Sequence, residues 1–413
     1  MGTVEITRTY RDLGESGIIV GSTTTSHRSV PVPGELALPS LEIHNFRGLR
    51  ELRISRLGRV NLITGKNNVG KTSVLEALRI YATTPPSTGI LDVLRSRGQL
   101  SRGDGARGRM EQIYLQVGSL FTGRRLKLDD PDTEICIGPL GSPDRTLGIM
   151  PSSLSGTLPS ANHVVSAADR SSSSISVRPG GKQIAHLGLM LRFGDSSRGL
   201  PLEDEYEFRR LDLVWRNTFG DGFGSGLGGV WVQSNGLDTV TSHRYWSRAA
   251  IAGREDDVNR GVRLIDPSIE SVFFAAPSES ASTPTAFVRR GGAEPAYLSS
   301  YGDGTNRLLG LSLAMIESAG CLALIDEVEN GLHYSVQADV WRHLFALASQ
   351  LNIQIFATTH SSDCVRGFQV AASESEEEGR LIYLGRRGDT IVAEEFDEDS
   401  LEIANEVGME LRG

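Results

Sequence analysis

The sequence is poor in cysteine, and its cysteines follow no pattern that binds a metal or builds a disulfide framework. The three cysteines are Cys136, Cys321 and Cys364, and no two of them form a CxxC pair. Thiolate zinc sites use closely spaced cysteine pairs, and small disulfide-rich domains use even sets of cysteines. The chain of 413 residues is therefore expected to depend on an ordinary hydrophobic core, for which its length is ample.

Long apolar runs and a surplus of basic residues are also missing. The longest apolar stretch, around residues 308–316, is far shorter than the roughly 18 to 20 residues that span a membrane. The N-terminus lacks the basic and then apolar pattern of a secretory signal. The 42 Lys and Arg against 51 Asp and Glu give a net charge of −9, which disfavours a protein whose whole surface grips nucleic acid. We therefore expect a cytoplasmic protein with no membrane partner.

Composition divides the chain into four parts. Residues 1–39 are rich in Ser, Thr and Pro and are expected to form an N-terminal extension and linker. Residues 40–86 and 262–413 show the strand and helix patterns of an α/β domain with a mixed β-sheet and flanking helices. Residues 87–261 contain Ser and Gly clusters and short β-like runs such as 113–117, which predict an inserted β-rich lobe with long loops.

One segment fits the phosphate-binding pattern GxxxxGK[ST] letter by letter. It is Gly65-Lys66-Asn67-Asn68-Val69-Gly70-Lys71-Thr72, between a predicted strand and a predicted helix. In such a P-loop the glycines let backbone N–H groups surround the phosphates, and the helix N-terminus adds a favourable dipole. Lys71 would reach the β- and γ-phosphates, and Thr72 would bind Mg²⁺. The predicted binding residues are Gly65, Asn67, Asn68, Gly70, Lys71, Thr72 and Ser73.

A second segment delivers two carboxylates at the end of an apolar run. Residues 322–325 are apolar enough for a buried parallel strand, and Asp326 and Glu327 follow directly. Asp326 would hold Mg²⁺, directly or through water, and Glu327 would orient or deprotonate the attacking water. Such a pair can also begin a helix as a cap, and that structural alternative stays open for the pair considered alone.

Two further segments offer groups to a phosphate. A short apolar strand at 355–357 leads to His360, which can reach a γ-phosphate, although a histidine there can equally cap a helix or pack. The segment 299–304, Ser-Ser-Tyr-Gly-Asp-Gly, leads into a helix and offers a hydroxyl and free N–H groups. Taken alone, that segment is equally typical of a turn and cap.

In this order the four segments resemble the ABC-class ATPases of the SMC, RecF and OLD type. The resemblance covers 41–86 and 262–413, and it is most similar to OLD-family ATPases in four stretches. These are Asn45-Phe46-Arg47-Gly48, residues 65–73, residues 326–333 and residues 357–361. The resemblance implies Mg²⁺-dependent hydrolysis of ATP by an ABC-type P-loop head, with Glu327, His360 and Lys71 as catalytic residues and Thr72 and Asp326 at the metal.

The resemblance also implies an assembly of this chain with itself. Two heads would pair head to tail, or form a larger ring of dimers, with each ATP between the Walker motifs of one subunit and the signature of the other. Ser300 and Gly302 would then contact the γ-phosphate from the second subunit, although Ser-Tyr-Gly-Asp-Gly departs from the Ser-Gly-Gly-Gln or Ser-Gly-Gly-Glu of better-known relatives. Glu329 and Asn330 fall where the family places its dimer-contacting loop.

Three other assignments follow from the same resemblance. Arg47, after the first strand, lies where related heads often touch nucleotide. His360 would be the switch histidine. Gln112 and Gln116 are the candidates for the glutamine loop.

No nuclease domain fits after His360, whereas OLD nucleases carry a TOPRIM domain after the ATPase. Coiled-coil heptads are absent too, which excludes a long SMC or Rad50 arm. An ATPase without nuclease activity is therefore expected, similar to the stand-alone ATPase of two-gene anti-phage systems such as PARIS. Its implied partners are a separate TOPRIM-type nuclease or toxin and a phage-encoded trigger protein.

Two alternatives remain open from the sequence. The first is a RecF-like DNA-repair ATPase, in which DNA would be a partner. The second is a nucleotide-locked scaffold in which ATP binding sets assembly and hydrolysis is incidental. Arginines that could touch nucleic acid, or form an ordinary solvated loop, are Arg95, Arg97, Arg102, Arg107 and Arg109.

Overall fold

The computed structural model describes residues 4–10, 22–28, 35–98, 115–124, 126–155, 185–202, 223–276 and 283–396. In chain order the described strands are β1 (Val4–Tyr10), β2 (Ser22–Arg28), β3 (Leu41–Phe46), β4 (Leu49–Ile54), β5 (Val60–Gly65), β6 (Ile135–Gly138), β7 (Leu147–Ser155), β8 (Ala185–Phe193), β9 (Ser196–Pro201), β10 (Gly229–Val232), β11 (Ile269–Ala275), β12 (Thr285–Arg290), β13 (Ala296–Tyr297), β14 (Leu322–Ile325), β15 (Gln354–Thr358), β16 (Gly379–Arg387) and β17 (Thr390–Phe396). The described α-helices are α1 (Lys71–Ala82), α2 (Pro86–Ser96), α3 (Thr239–Ile251), α4 (Glu255–Arg263), α5 (Asp303–Glu317), α6 (Gln337–Gln350) and α7 (Ser362–Ser373).

A six-stranded mixed sheet with the order β10-β14-β15-β5-β16-β17 forms the centre of the protein. The first five strands are parallel, and β17 closes one edge antiparallel to β16. Because these strands are parallel, β5, β14 and β15 all end at the same edge of the sheet. The predicted α/β class with a mixed sheet is confirmed.

Alternate residues of the central strands fill two separate cores, one on each face of the sheet. Ile63, Leu324 and Phe356 face a core that also contains α1 and α2. Their strand neighbours Leu62 and Ile325 face the opposite core, which contains α5, α6 and α7. Successive side chains of a strand point to opposite faces, and covered parallel strands are apolar on both. This double burial explains why the strands are nearly continuous apolar runs.

The strands of the segment 135–201 extend a sheet that begins near the N-terminus. The second six-stranded sheet is antiparallel, in the order β4-β3-β6-β7-β8-β9. Further along the chain, β10 joins the central sheet beside β14, in parallel. Residues 87–261 were expected to form an inserted lobe. The described strands of this segment instead complete two sheets shared with the rest of the head, because a strand pattern reveals a face but not a pairing partner.

A smaller sheet, β11-β12-β13, packs with α3, α4 and one side of α5. Buried Val258, Ile269, Val288 and Leu313 belong to this third core. Since α5 also contributes Leu308 and Leu311 to the core under the central sheet, this helix joins the two packing units. In the N-terminal extension, β1 and β2 pair with each other in antiparallel, whereas Ala37 and Leu38 are buried in the core that contains α1.

The strands predicted at 322–325 and 355–357 are confirmed as β14 and β15. The segment 113–117 was expected to be β-like, and this prediction is wrong, because its described part belongs to a helical turn at 115–118. The sequence also predicts a C-terminal helix, which falls after residue 396, outside the described residues. Across the part of the chain that the structure describes, no helix has the length and apolar character needed to cross a membrane.

Candidate nucleotide-binding site

The P-loop connects β5 to α1 and has the backbone that its glycines permit. Gly65 has φ +140° and Gly70 has φ +88°, conformations that side chains with a Cβ rarely adopt. A Cβ at Gly65 would also collide with the carbonyl oxygen of Leu384 on β16. Gly70 is the residue before α1, so the free N–H groups of the first helical turn face the loop. This cradle fits a phosphate chain.

Lys71 lies with its ammonium group inside the loop. Its Nζ donates to the carbonyl oxygens of Gly65 at 2.5 Å and Lys66 at 3.1 Å. Burial lowers the pKa of Lys71, and the negative charges of Glu329, Glu327 and Asp326 oppose that shift. The cation is thus held between the loop and the acidic residues that follow β14. Asn67 and Asn68 are exposed on the outer side of the loop, and Ser73 is buried in the first turn of α1.

Thr72 and Asp326 provide the oxygen atoms that a magnesium ion prefers. Thr72 Oγ1 donates to Asp326 Oδ1 over 3.3 Å, and Thr358 Oγ1 donates to the same oxygen over 2.7 Å. Asp326 is buried, with 8% of its surface exposed. A hydroxyl from the first turn of α1 and a carboxylate from the end of β14 meet beside the P-loop and fit Mg²⁺, which takes oxygen ligands and keeps several waters.

Glu327 follows Asp326 with its backbone in the left-handed region. Its φ is +47°, and its N–H donates to Thr358 Oγ1 over 2.9 Å. Asn330 Nδ2 donates to Glu327 Oε2 over 3.1 Å, and the Glu327 side chain is 40% exposed. The carboxylate is therefore oriented by its own loop but open to water, as a group that orients or deprotonates water requires.

Arg307 fixes the backbone of both acidic residues, and the sequence analysis missed it. Its Nη2 donates to the carbonyl oxygens of Asp326 and Glu327, each at 2.7 Å, and Nη1 donates to that of Gln233 at 2.8 Å. Burial lowers the pKa of Arg307 to about 10, with the nearby carboxylates acting in the opposite direction. The side chain is therefore still a cation at neutral pH. The sequence pattern did not single out Arg307, because one arginine in an otherwise apolar helix usually lies on the exposed face of that helix.

His360 lies at the end of β15, close to two of the glutamates. Its Nδ1 lies 3.0 Å from Glu329 Oε1 and 3.9 Å from Glu327 Oε1. The imidazole is half exposed, whereas the Glu329 side chain is only 9% exposed. The structure thus brings together, at one edge of the sheet, the predicted residues Lys71, Thr72, Asp326, Glu327 and His360.

Arg47, expected to touch the nucleotide, lies instead against α1. Its Nε is 2.6 Å from Glu76 Oε2, and its side chain is 10% exposed. The other oxygen of Glu76 accepts a hydrogen bond from Arg97 Nε at 2.5 Å. Burial raises the pKa of Glu76, and the two arginines oppose that shift. A nucleotide contact of Arg47 stays a prediction.

A cavity of about 360 Å³ opens beside Thr72 and Asp326. It is lined by Thr72, Glu76, Ser96, Arg97, Trp231, Gln233, Ser234 and Asp326. Gln233 follows β10 directly and was missed, although its place after the apolar run Val230–Val232 is the signal that could have revealed it. The earlier candidates for the glutamine loop were different. Gln112 lies outside the described residues, and Gln116 lies in the helical turn 115–118, away from the residues that line this cavity.

The signature residues are exposed at the start of α5. Gly302 has φ +88°, and a Cβ there would meet open space. Ser300 is exposed in the short 3-10 helix Leu298–Tyr301. Within the described ranges, neither residue hydrogen-bonds to the P-loop of its own chain. Gly304 instead packs closely on the carbonyl of Gly331, so the first turn of α5 touches the loop that follows Glu327.

Two family models match the two segments that build this site. The model of the AAA ATPase domain matches residues 37–96, which contain the P-loop. A second AAA domain model, whose description names the AbiEii toxin and Type IV TA system, matches residues 231–363, which contain Asp326 and His360. An uncharacterized protein of Methanocaldococcus jannaschii, MJECL11, is 34% identical over 91 residues, covering 22% of this chain and 80% of that protein. Both segments that build the site are therefore similar to AAA ATPase domains. The α/β P-loop fold with a mixed sheet and flanking helices, expected from the sequence, is confirmed.

Further similarities of this chain differ in extent. MJECL10, an uncharacterized protein of the same archaeon, is 50% identical over 44 residues, covering 11% of this chain and only 20% of that protein. The ATP/GTP phosphatase of Helicobacter pylori is 20% identical over 343 residues, covering 79% of this chain and 86% of the phosphatase. Among solved structures, the SMC head bound to the C-winged helix domain of ScpA has a TM-score of 0.44 and 11% identity, covering 89% of this chain and 99% of that one.

Proposed function

We propose that this ATPase binds ATP with Mg²⁺ at the carboxyl edge of the central sheet and hydrolyses it there. The observation that carries the proposal is the convergence of Lys71, Thr72 and Asp326 on one point. The hydroxyl of Thr72 and the carboxylate of Asp326 come from positions 254 residues apart in the chain. A P-loop helix that meets an acidic strand end in this way is suited to hold a nucleotide phosphate and its metal ion.

Each residue of the site has a distinct role in this reaction. The P-loop N–H groups and Lys71 bind the β- and γ-phosphates. Thr72 and Asp326 hold Mg²⁺, which when bound neutralises charge on the phosphate oxygens. Glu327, exposed and oriented by Asn330, positions the attacking water and accepts its proton. His360 donates a hydrogen bond to the γ-phosphate as negative charge develops there.

The proposed working unit is a head-to-tail homodimer or a ring of such dimers. The exposure of Ser300 and Gly302 at the N-terminus of α5 supports this arrangement. A helix N-terminus attracts anions, and this one has no phosphate loop of its own chain hydrogen-bonded to it among the described residues. A second subunit would place its γ-phosphate at these residues, so that ATP bridges the two heads.

The biological role that we propose is control of a separate effector, a nuclease or toxin, in defence against phage. The motifs similar to OLD-family ATPases support this role. The naming of a toxin and a Type IV TA system in the description of a matching family model is a second support. ATP binding and hydrolysis would set the assembly that holds the effector, and a phage-encoded trigger protein would release it.

Steady-state ATP hydrolysis by the purified chain, with and without duplex DNA, tests this proposal. The Glu327→Gln variant is the blank, because it keeps the binding residues and loses the carboxylate that accepts a proton. We expect Mg²⁺-dependent turnover that DNA leaves unchanged, and turnover at least roughly 100-fold lower in the variant. Turnover that rises several-fold with DNA would favour the RecF-like repair function instead. Equal turnover in both proteins would exclude the proposed mechanism.

A second experiment separates the sensor from a nucleotide-locked scaffold. In cells that carry this gene together with the genes that flank it and are challenged with phage, the sensor requires hydrolysis, so Glu327→Gln should lose protection. Full protection by that variant, together with loss of protection by Lys71→Ala, would show that ATP binding alone is sufficient and that hydrolysis is incidental.

A further inference from the structure

The loop after β14 folds back over the end of β15. Glu327 N–H donates to Thr358 Oγ1 over 2.9 Å, and Val328 N–H donates to the carbonyl oxygen of Thr358 over 3.1 Å. Val328 itself is fully buried in the core beneath the sheet. These contacts fix the direction in which the next side chain, that of Glu329, leaves the loop. It points toward the residues that follow β15.

Glu329 makes two contacts with one residue, His360. Its Oε1 accepts the backbone N–H of His360 at 3.0 Å, and the same oxygen lies 3.0 Å from Nδ1 of the imidazole. The Glu329 side chain is 9% exposed, and its Oε2 is buried with no hydrogen-bond partner among the described residues. A buried carboxylate is costly unless it has partners, so these contacts and the nearby cations of Lys71 and Arg307 determine where it can sit.

The short contact with Glu329 also bears on the protonation of His360. An ionised carboxylate only accepts hydrogen bonds, so Glu329 Oε1, which lies 3.0 Å from Nδ1, favours a proton on that nitrogen. Nε2 lies on the other side of the half-exposed ring and donates to a phosphate when it is protonated as well. A ring held by a buried carboxylate is oriented before its ligand arrives.

We infer that Glu329 is a positioning residue that orients the imidazole of His360 for the terminal phosphate of the nucleotide. This inference rests on the proposed hydrolysis of ATP at the site. It also changes the role expected for Glu329 by resemblance, that of a residue in the dimer-contacting loop. A side chain turned inward onto His360 is not presented to a second subunit, whereas the neighbouring Asn330 is exposed.

The kinetic test compares Glu329→Ala, Glu329→Gln and His360→Ala. Positioning predicts that Glu329→Ala lowers kcat roughly 10-fold or more and changes KM less than about twofold, as His360→Ala does. In the double variant Glu329→Ala/His360→Ala, kcat should be no lower than in His360→Ala alone, since the carboxylate then has no ring to orient. Glu329→Gln retains an acceptor oxygen and should recover kcat to within about threefold of wild type.

Glu395 provides a matched control for the loss of a structural carboxylate. Its side chain also accepts backbone N–H groups, those of Ser55 and Arg56, but far from the site. Glu395→Ala should leave kcat and KM unchanged, and the Tm of each variant reports any general destabilisation. Two results would overturn the inference. One is a kcat in the double variant that is lowered by the product of the two single losses, and the other is a kcat in Glu329→Ala equal to that of the wild type.

A second readout is independent of ATP hydrolysis. The ¹⁵N chemical shifts of the His360 ring in the full chain distinguish a proton on Nδ1 from one on Nε2. We expect a proton on Nδ1 in the wild type and a smaller fraction of rings with a proton on Nδ1 in Glu329→Ala. Unchanged ring shifts would overturn the positioning role even if ATP turnover is normal. A wild type that shows the predicted ring shifts but hydrolyses no ATP would contradict the proposed function alone.

Discussion

The Oγ1 atom of Thr72 and the Oδ1 atom of Asp326 are joined by a hydrogen bond of 3.3 Å across 254 positions of sequence. Thr72 lies in the first turn of α1, directly after the P-loop. Asp326 directly follows β14, which lies two strands away from β5 in the central sheet. Parallel pairing brings their strand ends to the same edge, which is why the contact forms. This pair defines the point toward which the other groups of the site are directed.

Replacing Lys71 by Ala should remove ATP binding and leave the fold intact. The ammonium group lies inside the P-loop and is the one cation that the loop itself directs at the phosphates. Charged hydrogen bonds of this kind contribute about 1.5 to 3 kcal/mol each, so the loss should weaken ATP binding roughly 100-fold or more. Binding of a fluorescent ATP analogue measures it. Lys66→Ala, in the same loop but with an exposed side chain, should bind within about threefold of wild type.

Replacing Thr358 by Val should increase the Mg²⁺ concentration needed for activity. The hydroxyl of Thr358 donates to Asp326 and accepts the N–H of Glu327, so it holds the acidic pair in place. Valine has nearly the same shape and keeps the packing, but loses both hydrogen bonds at a cost of about 1 to 3 kcal/mol. A Mg²⁺ titration of ATP turnover measures the change. The neighbouring Thr359→Val removes a buried hydroxyl that does not contact Asp326, and the same titration should be unaltered.

Replacing Glu76 by Gln should destabilise the head strongly. The carboxylate is 1% exposed and pairs with both Arg47 and Arg97, which would be left without their counter-charge. Removing one partner of a buried pair costs roughly 3 kcal/mol or more. Urea unfolding of the two proteins measures the difference. Glu42→Gln, which loses a pair with the largely exposed Arg53, should cost less than about 1 kcal/mol, and a similar cost at Glu76 would refute the prediction.

His343 should make the protein less stable in acid. The free energy of unfolding should fall as the pH falls below neutrality. Burial lowers the pKa of this imidazole from 6.5 to about 4. Between those two pH values the unfolded chain binds a proton that the folded chain does not, so acid favours unfolding. From pH 6.5 to pH 5 the loss from this group is about 2 kcal/mol.

Urea unfolding at pH 6.5 and at pH 5 measures this dependence. His343→Gln removes the titrating ring but keeps a donor for Ser312, the buried hydroxyl that contacts it. The variant should lose part of the pH dependence. The same substitution at the partly exposed His243 should leave it in place, and an unchanged pH dependence in His343→Gln would contradict the assignment.

The sequence was sufficient for the parts of the site that are local. The P-loop is one contiguous motif whose glycines determine its backbone, and Asp326 and Glu327 follow directly from an apolar strand. The strand predicted at 322–325 is observed with the same bounds. In each case the residues that determine the structure are neighbours in the chain, so the pattern alone specifies it.

The parts that depend on distant pairing were not predicted. Gln233 enters the site because β10 pairs with β14, and no pattern in 229–232 names that partner. Arg307 is functional only because its helix passes beneath the loop of Asp326. The direction of Glu329 depends on how that loop folds over β15. Periodicity indicates which face of a strand or helix is buried, but not which element covers it.

The cavity beside Thr72 and Asp326 is lined by Arg97 at one end of the segment 97–233 and by Gln233 at the other end. Arg97 is held there by its hydrogen bond to Glu76, and the carbonyl of Gln233 accepts a hydrogen bond from Arg307. A partner that binds the segment between these two residues would therefore act on the nucleotide-binding edge from two sides at once.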